Sequence, residues 1–177
     1  MRVFVQGLSH TGSVYSACLA ELGHAVIAYD DDKKVIKNLK KGIAPIYEPG
    51  LKNLIKKNIY KKRLIYTNKF NSINTSDFIW FTHDPVVNDR DASNILLTIN
   101  QIKKTLRKLN NSMNVIVSSQ LPVGSIKKLE NYSKKKLNKS FNFYCCPENL
   151  RLGSSVKSFL KPARIVVGYT NPESKIK

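Results

Sequence analysis

Six residues near the N-terminus, GLSHTG at positions 7–12, have types and a spacing that could hold a phosphate. They follow a short apolar run at 3–5 and place two glycines five positions apart. A pyrophosphate needs backbone N–H groups and the N-terminus of a helix brought close to it. Gly7 is placed to make the tight turn, and Gly12 to let a helix pack against the preceding strand. The middle position of a dinucleotide-binding turn is usually a third glycine; here it is Ser9. Serine is small, and its hydroxyl could donate to a phosphate oxygen. If position 9 needs a positive φ, serine costs about 1 kcal/mol or more. His10 and Thr11 complete the candidate cofactor-binding turn. Asp30 stands 23 residues after Gly7. A carboxylate there accepts hydrogen bonds from ribose hydroxyls and repels a 2′-phosphate, which favours NAD over NADP. Asp31 and Asp32 add to that repulsion, and Asp32 also reads as a helix cap.

Positioning such residues requires strands that alternate with helices, and the chain has that pattern. Apolar runs predict strands at 2–6, 25–29, 64–66, 77–82, 114–119, 141–145 and 164–168. Helical periodicity predicts helices at 11–22, 33–41, 51–57, 93–109 and 126–137, with Gly23 and Gly42 as stops. This order implies right-handed crossovers and a doubly wound, mostly parallel α/β sheet of Rossmann type in a single domain spanning 1–177. Ligands of such sheets bind beyond the carboxyl ends of the strands. Those ends hold residues 7–12, Asp30, 82–85, 118–124 and 145–148, which puts Pro85 and Gln120 beside the cofactor.

Bulk composition narrows the function classes. The 177 residues are 42% hydrophobic, the level of an ordinary folded domain. No apolar run spans a bilayer and no signal peptide precedes the first strand, so no membrane role and a cytoplasmic location are expected. Cys18, Cys145 and Cys146 show no metal-ligand spacing, and no metal is expected. The formal net charge is +18. That suits an anionic partner, but lysine outnumbers arginine 24 to 6, and the lysines cluster on helix-like faces. Nucleic-acid readers lean on arginine forks, so dedicated nucleic-acid binding is not expected.

Further along, ACLAELGHAV (17–26), PIYEPGL (45–51), LPVGS (121–125), CPENLRLGSSV (146–156) and FLKPARIVVG (159–168) occur in order. Together they resemble the N-terminal NAD-binding domain of the UDP-glucose/GDP-mannose dehydrogenase family over nearly the whole chain. The resemblance implies oxidation of the C6 alcohol of a nucleotide-sugar to a carboxylate, with NAD as acceptor, in the making of polysaccharide precursors. The chemistry it implies passes through a cysteine-bound thiohemiacetal and a thioester. It places Gly7, Gly12 and Asp30 on NAD, and the loop of Tyr47, Glu48 and Pro49 beside the substrate. It makes Glu148 the carboxylate that activates water for thioester hydrolysis, a role suited to a pKa raised by burial. Arg151 and Arg164 match basic positions.

Several positions depart from the family pattern. Its aromatic-aliphatic pair is His10-Thr11, its Thr-Pro is Asp84-Pro85, and its water-positioning threonine is Gln120. Its acid four residues after Glu148 is Leu152, and the base five residues after Asp30 is Val35. The family's cysteine nucleophile belongs to a sugar-nucleotide domain beyond a central helix, and neither is expected within these residues. The nucleotide-sugar would then be met through a separate C-terminal part. Three readings stay open: the NAD-binding part of an enzyme, a degenerate nucleotide-binding module without turnover, and a basic interaction protein that keeps only the fold.

Overall fold

The computed structural model describes residues 1–70, 73–84, 95–110 and 113–169. Seven strands form one sheet in the order β3-β2-β1-β4-β5-β6-β7. They are β1 (Arg2–Gln6), β2 (Ala25–Tyr29), β3 (Leu64–Thr67), β4 (Phe78–Phe81), β5 (Asn114–Val117), β6 (Asn142–Cys145) and β7 (Gly168–Tyr169). The first six pair in parallel, and β7 joins β6 antiparallel at the edge. The helices are α1 (His10–Glu21), α2 (Lys33–Lys40), α3 (Leu51–Tyr60), α4 (Ile95–Leu106), α5 (Ser125–Leu137) and α6 (Ser155–Leu160). The doubly wound arrangement expected from the alternating pattern is therefore present. No helix among the described residues is long and apolar enough to cross a membrane.

The period-two alternation of the strands divides the core in two. Val3 and Val5 of β1 point into one cluster with Val14 and Cys18 of α1, Ile36 of α2 and Ile55 of α3. Phe4 points the other way, to Ile79 and Phe81 of β4, Ile102 and Leu106 of α4, and Leu129 of α5. Both faces of the central strands are thus covered, as a parallel sheet requires. The strand order reverses between β1 and β4, which opens a crevice at their carboxyl ends.

Four element assignments change. The apolar segment 164–168 does not form a full strand. Among the described residues, only Gly168 and Tyr169 pair with β6, and Ile165 and Val166 lie exposed on the wall of a cleft instead. The segment 155–160, unassigned from the sequence, is α6, and residues Ile73–Thr75 form a 3-10 turn. Helix α3 runs three residues past the expected end, to Tyr60.

Candidate functional site

Strand β1 runs straight into the glycine turn at the crevice. Gly7 adopts φ +94° and donates its N–H to the Tyr29 carbonyl at 3.1 Å. A Cβ there would lie 2.8 Å from the His83 ring. A Cβ on Gly12 would lie 1.8 Å from the Gly7 carbonyl oxygen, so α1 and the turn are in direct backbone contact. Thr82 closes this packing by donating its hydroxyl to the Gly7 carbonyl at 2.8 Å. Ser9 answers the question that the missing glycine raised. It is the N-cap of α1 with φ −64° and ψ −157°, extended backbone that any residue adopts, so the strain considered for it does not arise. Its Oγ is buried and makes no hydrogen bond among the described residues. A buried hydroxyl facing no partner fits a site whose acceptor is a phosphate oxygen.

Asp30 ties the second strand to the turn. One carboxylate oxygen accepts the Leu8 N–H at 2.7 Å, and the other accepts the Asp32 N–H at 2.9 Å. A carboxylate has about four lone-pair sites, so half of that capacity is left for ribose hydroxyls. Asp32 caps α2, accepting from the N–H groups of Lys34 and Val35, as its position suggested. Asp31 accepts the Tyr29 hydroxyl. His83 is held below the usual histidine range by burial, against the opposing pull of Asp30, Asp31 and Asp84. The residues of the turn and Asp30 therefore form one constellation at the N-terminus of α1. They fit a dinucleotide.

A second constellation lies on the β4–β6 side. Glu148 follows β6 and is half-buried, with Oε1 accepting the Leu150 N–H at 3.0 Å. Burial pushes its carboxyl up; the Leu150 bond opposes this, the charge of Asp84 adds to it, and His10 lowers it. This is the direction anticipated for a water-activating carboxylate. Tyr15 of α1 is pushed up by burial and by Cys146, and shares this environment with Glu148 and Asp84. Trp80 donates its indole N–H to Ser118 Oγ at 2.8 Å, and Ser118 donates to the Cys146 carbonyl at 2.6 Å. Tyr15, Trp80 and Phe159 pack ring on ring and wall a cleft of about 850 Å³, rimmed by Arg151 and Arg164. Gln120 is exposed just after β5. Pro85 lies outside the described residues.

The loop of Tyr47 and Glu48 splits between surface and interior. Tyr47 is 85% exposed, whereas Glu48 is 3% exposed. Glu48 accepts the N–H of Gly153 at 3.0 Å and of Ser155 at 2.7 Å, and its Oε2 stands 3.2 Å from His10 Nε2. Burial alone pushes its carboxyl up, but these donors outweigh burial and hold it below the usual carboxylate range. Its observed work is to join the glycine turn to the loop that carries Glu148. Arg151 is exposed and offers its carbonyl to Ser155 Oγ at 2.7 Å. Sequence reasoning missed Gly153 and Ser155 as partners of Glu48. The cue was Ser154-Ser155 before the apolar Val156, a helix-start signal. Burial pushes the Cys18 thiol to about 12 and also raises Cys145 and Cys146. No group of three metal-ligating side chains occurs among the described residues.

All 177 residues match the NAD-binding domain of the UDP-glucose/GDP-mannose dehydrogenase family. The chain belongs to that family. A UDP-glucose 6-dehydrogenase of Bacillus subtilis, TuaD, is 35% identical over 175 residues, covering 96% of this chain and 38% of the relative. A UDP-glucose dehydrogenase structure from Pyrobaculum islandicum superposes with TM-score 0.84 at 24% identity, over 97% of this chain and 41% of that one. A GDP-mannose dehydrogenase structure from Pseudomonas aeruginosa gives TM-score 0.88 at 23% identity, over 98% and 42%. At that identity the structures speak for the fold alone. The chain thus spans about two fifths of the relatives' length, and the part it matches is the family's NAD-binding domain.

Proposed function

We propose that this chain is the cofactor-holding part of a nucleotide-sugar 6-dehydrogenase, which oxidises the sugar C6 alcohol to a carboxylate. The observation that carries the reading is the cradle at the switch point. There Gly12 touches the Gly7 carbonyl, Ser9 Oγ is buried without a partner, and Asp30 braces the turn through the Leu8 N–H. NAD, when bound, supplies the hydride acceptor. The N–H groups at the start of α1, with Ser9, His10 and Thr11, hold its pyrophosphate, and Asp30 holds the adenosine ribose. Gln120 flanks the cofactor by its position after β5.

Glu148 acts as the proton acceptor for the water that hydrolyses the thioester. Its raised pKa lets it exchange a proton nearer neutrality than an ordinary carboxylate does. Arg151, at the rim of the cleft, faces the anionic nucleotide-sugar, with Tyr47 and Glu48 on the loop nearby. The nucleophilic cysteine and the sugar-nucleotide pocket come from polypeptide equivalent to the other three fifths of the relatives. Cys145 and Cys146 do not replace that nucleophile, because burial disfavours their thiolates. Acidic sugar nucleotides made this way would serve as polysaccharide precursors in the cytoplasm. A second reading, nucleotide binding without turnover, draws on Gln120 and Asp84, which stand where the family pattern has hydroxyl residues.

The test is a calorimetric titration with NAD at moderate salt, with NADP and ADP as controls. Saturable binding that prefers NAD over NADP is expected. Absence of binding at millimolar NAD would overturn the reading.

A further inference from the structure

The cofactor end of this strongly basic chain is acidic. Asp30, Asp31, Asp32, Glu48, Asp84 and Glu148 follow strands or sit in loops at the crevice, six of the chain's twelve acids. Among them Asp84 has a distinct position. It lies three residues past the end of β4, and its Oδ1 accepts the Thr11 hydroxyl at 3.2 Å. Thr11 is the second residue of α1, a helix with no acidic residue in its first turn and no side-chain cap from Ser9. Asp84 is thus an anion brought from another strand to the positive end of α1. Among the described residues no lysine or arginine forms an ion pair with it. Its charge is felt by Glu148, Tyr15 and His83, which places it between the two halves of the crevice.

The unpaired N–H groups and the dipole of a helix N-terminus attract a carboxylate and a pyrophosphate alike. Two anions at one terminus compete for it and repel each other. We infer that Asp84 is an internal anion that weakens the hold of this site on the pyrophosphate of its dinucleotide, and so sets the affinity for the cofactor. The inference rests on the NAD reading above and adds the residue that tunes it. The penalty falls on every ligand with a diphosphate and spares an uncharged nucleoside. Like-charge repulsion near a protein surface is worth roughly tenfold in affinity at several ångströms, and salt screens it.

The test compares the full chain with its Asp84→Asn variant by calorimetry, at about 50 mM and about 500 mM salt, a range over which the Debye length shortens several-fold. The ligands are NAD, ADP and adenosine. Asp84→Asn is expected to tighten NAD and ADP roughly tenfold at low salt, with most of the gain lost at high salt and adenosine unchanged. Asp84→Glu, which keeps the charge, is expected to show no comparable gain. Equal affinity of the two proteins for NAD would overturn the inference while leaving the NAD reading in place. A gain that extends to adenosine, or that ignores salt, would also overturn it, since it would come from shape rather than charge. If neither protein binds NAD, the cofactor reading and this inference fail together.

Discussion

Glu48 Oε2 and His10 Nε2 stand 3.2 Å apart, although 38 residues separate them in sequence. The contact joins the first residue of α1 to a loop that also receives N–H bonds from Gly153 and Ser155. One buried carboxylate thereby fixes the glycine turn, the Tyr47 loop and the segment after Glu148 relative to each other. Replacing it by alanine leaves the buried Ser155 N–H and the partly buried Gly153 N–H without this acceptor, and removes the contact to His10. Glu48→Ala is expected to destabilise the fold by about 1–3 kcal/mol, the cost of leaving a buried hydrogen-bond donor unsatisfied. Tyr47→Ala, on the exposed neighbour, is expected to change stability by less than about 0.5 kcal/mol. Urea unfolding of the two variants checks this; equal midpoints would mean that Glu48 is not the tie between these loops.

The same carboxylate predicts a pH dependence. Its folded-state pKa lies below the ordinary value, because its donors outweigh burial. A group of that kind contributes stability that is fully present above its unfolded pKa and is lost as pH falls through the folded one. Stability is therefore expected to drop below about pH 4, the unfolded carboxylate range. Glu48→Gln, which has no charge to lose, is expected to flatten that drop. Glu148 works in the opposite sense: its raised pKa costs stability above the carboxylate range, so Glu148→Gln should be neutral or stabilising at pH 7. Thermal melting between pH 3 and 7 separates the two effects. Parallel curves for wild type and Glu48→Gln would sink the first.

Much of this architecture was legible in the chain before any coordinates. Six of the seven strands follow from apolar runs, because a strand buried on both faces has to be apolar throughout. Gly7 and Gly12 could be placed in the turn because a tight turn and close helix packing rest on local backbone geometry at fixed spacing. Other features depend on contacts distant in sequence. The burial of Glu48 needs the segment 153–155, more than a hundred residues away, and the Thr11–Asp84 bond needs the β1–β4 junction. The run 164–168 is apolar enough for a strand, yet it lies at a sheet edge where, among the described residues, Gly168 alone of the run finds a partner. Apolarity records burial or contact; it does not say against what.

Asp30 makes a prediction about cofactor choice. Removing its carboxylate takes away the proposed ribose acceptor and leaves the Leu8 N–H without its 2.7 Å partner. Asp30→Ala is expected to weaken NAD binding by about 1–3 kcal/mol, the range for hydrogen bonds to a charged group. It should also narrow the preference for NAD over NADP, since a 2′-phosphate no longer meets that charge. Titration of both cofactors against the variant tests this. Unchanged NAD affinity would show that Asp30 serves only to brace the turn.

Ser9 and Gly12 test the turn from opposite directions. With φ −64°, Ser9 carries no backbone strain, so Ser9→Gly has nothing to relieve. It removes a buried hydroxyl that makes no hydrogen bond among the described residues and adds chain entropy to the unfolded state. NAD affinity is expected to stay level or fall, not rise. Gly12 allows no such tolerance. Its Cβ would sit 1.8 Å from the Gly7 carbonyl oxygen and 2.6 Å from Thr82 Oγ1, so α1 would have to move off the sheet. Gly12→Ala is expected to cost several kcal/mol of stability, about the upper range for point substitutions, and to abolish NAD binding. Circular dichroism melts with a parallel NAD titration read both variants. Tighter binding by Ser9→Gly would mean that the serine, despite its relaxed backbone, blocks the phosphate. A stable, NAD-binding Gly12→Ala would mean that α1 can shift, and that this backbone contact is not what shapes the cradle.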